Sequence, residues 1–121
     1  MLKAIPLRIL TTSGELRAPK GANRYGNPES DIYALTRVHL QPSNSVKKTR
    51  DNREVVLRSL LFYDAKNSLP VGLDFDAIKT KADELGVDAE LTLNGLEYTL
   101  QTVEAVPDDR GKLHHYELGL V

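Results

Sequence analysis

Apolar side chains recur at every second position through much of this chain, the spacing of strands with one face turned to a core. Ile5 to Thr12 sets Ile5, Leu7 and Ile9 against Pro6, Arg8 and Leu10, which predicts a first strand with Pro6 near its start, where a missing N–H is tolerated. Ser13 to Ser30 carries Gly14, Pro19, Gly21, Gly26 and Pro28 and reads as a long loop, with room for a short edge strand at Glu15 to Ala18. Asp31 to Gln41 predicts a strong strand, with Ile32, Ala34, Thr36, Val38 and Leu40 on one face and Tyr33, Leu35, Arg37 and His39 on the other. Pro42 to Arg53 loses the period and reads as an exposed loop. Val55 to Tyr63 is apolar on both faces apart from Arg58 and Ser59, which predicts a central strand covered on both sides.

Beyond a turn at Asn67 to Gly72, the spacing changes once. Ile78, Ala82 and Leu85 fall at i, i+4 and i+7, so Asp76 to Leu85 predicts one short amphipathic helix, with Asp76 as cap and Gly86 at the C′ position. Ala89 to Leu93, Asn94-Gly95 and Leu96 to Val106 predict a hairpin, because Asn-Gly supplies the positive φ angles of a type I′ turn. Pro107 to Gly111 is turn chemistry again, and Leu113 to Val121 predicts a last strand with Tyr116, Leu118 and Leu120 inward. The expected fold is mainly β: a small antiparallel β-barrel of about six strands with one short α-helix and long loops, a single domain over residues 1–121. No internal repeat or low-complexity segment interrupts it.

Composition changes this picture little. With 40% hydrophobic and 27% charged residues among 121, the chain is apolar enough to fold and lies far from disorder. Sixteen Lys and Arg against 17 Asp and Glu leave a net charge of −1, so no global attraction to nucleic acid or an anionic membrane is expected. There is no cysteine, which excludes disulfides, thiolate metal sites and thiol nucleophiles. Pro6 and Arg8 break the opening residues, so no secretion signal is read there, and no run approaches the roughly 20 apolar residues of a membrane helix.

Candidate chemistry is sparse. His114 and His115 adjoin on a strand, where neighbours point to opposite faces, so they are not expected to chelate one ion; His39 has no Asp, Glu or Cys at metal-ligand spacing. No Gly-x-Ser-x-Gly elbow, phosphate-cradling glycine loop or calcium loop is present, and Asp74, Asp76, Asp83 and Glu84 read as caps and surface charge. No catalytic, cofactor or metal residue is therefore expected, and the protein is read as a non-enzyme. The one local electrostatic feature is the Pro42 to Arg53 segment, where Lys47, Lys48, Arg50 and Arg53 stand against Asp51 alone and could touch DNA phosphates.

Three stretches carry a family resemblance. They are Leu60-Leu61-Phe62-Tyr63-Asp64 with Asn67-Ser68 and Pro70, then Leu93-Asn94-Gly95-Leu96-Glu97-Tyr98-Thr99, and Lys112-Leu113-His114-His115-Tyr116-Glu117-Leu118-Gly119-Leu120-Val121. With the opening Leu2-Lys3-Ala4-Ile5-Pro6-Leu7-Arg8, they resemble the minor capsid proteins encoded in the head-to-tail gene region of phages and prophages of Gram-positive bacteria. Asp74 to Gly86 looks longer than the corresponding connection and is read as an inserted helix. The resemblance implies a virion structural protein, assembled in the host cytoplasm, that forms a ring at the head–tail connector as a head-closure or stopper subunit. Its implied partners are the portal or adaptor ring, tail-completion or tail proteins, further copies of itself and packaged double-stranded DNA. Carried onto this chain, the channel-loop residues are Lys47, Lys48, Arg50 and Arg53, and the docking-loop residues, on Thr12 to Ser30, are Leu16, Arg17, Arg24 and Tyr25. Alternatives are a tail-completion or tail-terminator subunit, or a barrel that binds single-stranded nucleic acid.

Overall fold

The computed structural model describes residues 4–22, 24–49 and 52–121. Six strands close into an antiparallel barrel in the order β1-β2-β5-β8-β7-β6: β1 Thr12–Ala22, β2 Pro28–Pro42, β5 Ser59–Asp64, β6 Glu90–Leu93, β7 Leu96–Pro107 and β8 Leu113–Leu120. A separate two-stranded sheet, β3 Val46–Lys48 with β4 Glu54–Val56, is inserted between β2 and β5, and one helix, α1 Phe75–Leu85, lies between β5 and β6. The mainly β barrel with one short helix is thus the fold that the alternation predicts. Its core gathers Leu16, Leu35, Val38, Leu61, Tyr63, Phe75, Leu91, Leu93, Leu100, Tyr116, Leu118 and Leu120.

The N-terminal third departs from the expectation. The strand expected over Ile5 to Thr12 does not form before Thr12, where β1 begins; Ile9 N donates to Pro6 O at 3.0 Å and Leu10 N to Leu7 O at 3.1 Å, closing turns. The cause is a competing acceptor: the buried Asp64 carboxylate takes the Ile5 N–H at 3.0 Å, and Asn67 Nδ2 donates to Ile5 O at 2.9 Å. Asp64 also accepts from the N–H groups of Lys66 and Asn67, and Ser68 Oγ, which accepts from Asp64 N, donates to Arg37 O. A fully buried carboxylate with three backbone donors is satisfied in place. Thr12 to Ser30, expected as a loop, is instead β1, a tight connection and the start of β2. Gly14 serves there as a closing residue, since a Cβ would meet Thr92 O and Leu93 Cδ2 across the β1–β6 seam.

β2 corrects the face assignment made from its sequence. Thr12 pairs with Val38 but Gly14 with Leu35, so β2 holds one extra residue, and Arg37 sits there at φ 57°. Such a bulge reverses the faces beyond it. Val38 turns inward, whereas before the bulge Leu35, read on the other face, is buried and Ile32, read on the face of Val38, is 58% exposed. Val55 to Tyr63 is likewise two strands, with buried Leu57 between them.

The helix is capped by Asp74, whose carboxylate accepts from Ala77 N at 3.0 Å; Asp76 is a first-turn acid, and Gly86 takes the left-handed C-cap at φ 67°. Phe75, outside the expected helix, is its fully buried anchor and meets the rings of Tyr63 and Tyr116 edge-on, centroids 5.0 and 5.3 Å away. α1 packs on β1 and β7, the strands flanking β6, so it fills the seam left because β6 is only four residues long. The Asn94-Gly95 turn, at φ 51° and 77°, joins β6 to β7 as predicted.

Candidate functional site

The Pro42 to Arg53 segment is not a bare loop. Lys47 and Lys48 lie in β3 and Arg53 just before β4, all three exposed, while Arg50 falls outside the described residues. The ribbon has its root on the barrel wall: Ser43 N donates to Arg58 O, Leu57 N to Ser45 O (both 2.9 Å) and Arg58 N to Leu120 O (2.8 Å). Leu57, 1% exposed, covers Gly119 from outside the barrel; a Cβ at Gly119 would come within 2.9 Å of both Leu57 methyls. Arg58 adds a second anchor, its guanidinium 4.4 Å from the Tyr98 ring centroid and donating to Glu97 O at 3.0 Å.

Beyond this root the ribbon stands off the wall and leaves two open clefts. One of about 570 Å³ separates Thr49 and Arg53 from Asp83, Glu84 and Asp88 around the end of α1. Another of about 250 Å³ lies between Lys47 and Lys48 and the wall residues Glu104 and Glu117. Basic and acidic residues therefore line the same clefts, which balances the charge of the ribbon locally. The segment lies as a flap over β7 and β8, because Leu57 folds the chain back onto Gly119.

The docking-loop residues separate. Leu16 is fully buried in the core, so it belongs to no exposed surface; in β1 its neighbour Arg17 is exposed and pairs in register with Ile32 and Glu90. Arg24 and Tyr25 sit together at the connection between β1 and β2, the guanidinium donating to the phenol oxygen at 2.8 Å and lying 5.0 Å from the ring, with Tyr25 73% exposed.

One further cluster corrects the reading of the histidines. His114 and His115 do not point apart: their Nδ1 atoms are 2.7 Å from each other, and His115 Nε2 lies 3.0 Å from Glu117 Oε2. The imidazole is short enough for rotation about Cα–Cβ to bring neighbouring rings edge to face, at 80°. His39, Phe62 and His115 form a row across β2, β5 and β8 at 5.7 and 5.9 Å. Among the described residues no group of three or more His, Cys, Asp or Glu is placed to hold a metal ion. None of their helices is long and apolar enough to cross a membrane.

The fold is a closed barrel with a filled core that carries a flap and an aromatic hairpin tip on its outside. The model of the family described as Minor capsid protein matches residues 6–120, nearly the whole length. The chain belongs to this family and is a structural protein of the phage virion. No curated protein and no solved structure matches it.

Proposed function

We propose that the protein is a ring subunit of the head–tail connector, in the head-closure or stopper position, where it seals the DNA channel and offers the surface to which the tail attaches. The observation that carries this reading is the β3–β4 ribbon, a basic excursion rooted by Leu57 and Arg58 yet separated from the barrel by open clefts. Repeated around a ring, Lys47, Lys48, Arg50 and Arg53 would concentrate positive charge that a chain of net charge −1 lacks, and phosphate contacts need no sequence recognition. The portal or adaptor ring would bind on one side and tail-completion or tail proteins on the other, with Arg17, Arg24 and Tyr25 supplying contacts of the types enriched at interface hot spots. All 121 residues would act as one domain, needing no cofactor and catalysing nothing.

Replacing Lys47, Lys48, Arg50 and Arg53 together by Glu in the phage should yield particles that lose DNA or fail to join tails, scored by packaged DNA and plaque titre. Wild-type retention and titre would overturn the channel role. Electron microscopy of the virion separates this position from that of a tail-completion or tail-terminator subunit.

A further inference from the structure

Two parts of the molecule carry open strand edges. β5 pairs with β2 only over Val38–Pro42, and apart from a lone bridge of Thr36 to Leu69 no described strand pairs with that edge of β2 from Glu29 to Leu35. The β3–β4 ribbon is the second, pairing with nothing else among the described strands. Two-stranded sheets are marginal alone in water, and an open edge is a template for another strand.

The two edges are complementary. β2 carries Glu29, Asp31 and an Ile32 that is 58% exposed; β3 carries Lys47, Lys48 and a Val46 that is also 58% exposed. They lie on opposite flanks, because the ribbon covers β7 and β8 and β7 is three places from β2 in the six-stranded order. One copy therefore offers its two edges in opposite directions, as a head-to-tail assembly requires.

We infer that β3 of one copy adds antiparallel to the free edge of β2 in the next copy, with Ile32 opposite Val46 and Asp31 opposite Lys47. The occupant of the β2 edge is thus a second copy of this chain, and the contact makes a continuous sheet of β1 and β2 from one subunit with β3 and β4 from its neighbour. Cross-strand apolar and opposite-charge pairs of this kind stabilise sheet registers. Asp31, already 3.2 Å from Lys20 on β1, would gain a second cation from the far side. This rests on the ring reading and assigns Lys47 to the neighbouring subunit, leaving Lys48, Arg50 and Arg53 for DNA.

The absence of native cysteine makes the test direct. Full-length Ile32→Cys and Val46→Cys proteins are mixed at high concentration under mild oxidation. The mixture should give a disulfide-linked dimer in clear excess over either protein alone and over a control mixture of Ile32→Cys with Leu96→Cys, whose second site is exposed elsewhere. Adding Asp31→Lys to the first protein, or Lys47→Asp to the second, should lower the yield, and adding both should restore it. A yield no higher than the control, or a charge swap that restores nothing, overturns the pairing. Cross-linking by a protein that microscopy places away from the connector would leave the pairing standing and remove the connector reading; a connector ring without the cross-link would do the reverse.

Discussion

Tyr63 and Tyr116 stand 6.2 Å apart between ring centroids inside the barrel, Tyr63 donating to Pro70 O. Burial pushes both phenols above their ordinary value of 10.0, and for Tyr116 the nearby carboxylates of Asp74 and Asp76 push the same way. The unfolded chain gives up these protons near pH 10 while the folded chain holds them. Their contribution is therefore complete below pH 10 and is lost as the pH rises from there through the raised folded values. Tyr116→Phe should lose less stability than the wild type as the pH rises past 10, read from urea midpoints; parallel curves would remove Tyr116 from the alkaline transition. At this scale the sequence was partly legible. Tyr116, Leu118 and Leu120 announce their inward face by alternation, whereas Asp64 and Ser68 look like ordinary turn residues until partners 59 and 31 positions away are brought to them.

Among the elements, those with a local cause were readable and those with a distant cause were not. Asn94-Gly95 makes its turn from its own φ preferences, and Gly86 ends its helix in the same way. The bulge at Arg37 has no such signature, because Ser68 and Leu69, which hold the carbonyl of Arg37 and both backbone groups of Thr36, come from another segment. The ribbon also depends on a distant fit, that of Leu57 on Gly119. Gly119→Ala would drive a methyl into Thr102 Oγ1 and Leu57. It should cost about 1–3 kcal/mol by overpacking, and should speed tryptic cleavage at Lys47, Lys48 or Arg53 relative to the other sites. An unchanged digestion pattern would mean that the ribbon is not held by this contact.

For the whole molecule, a charge of −1 and ribbon lysines facing Glu104 and Glu117 argue against nucleic-acid affinity in a single copy. Three of the five tyrosines, Tyr63, Tyr98 and Tyr116, are core residues, which leaves little for a base-stacking platform. The isolated protein should fail to retain single-stranded DNA in a filter assay at low salt; nanomolar retention would favour a nucleic-acid-binding barrel instead. Five of the six barrel strands, the one helix and the 94–95 hairpin were present in the residues themselves, because period, cap and turn preferences act over a few positions. Whether residues 5–11 pair, which way Ile32 points, that Leu16 is core and that the basic segment folds over β7 and β8 were settled only in the assembled barrel. There, closing the sheet decides which backbone groups find partners, and those partners lie dozens of residues away.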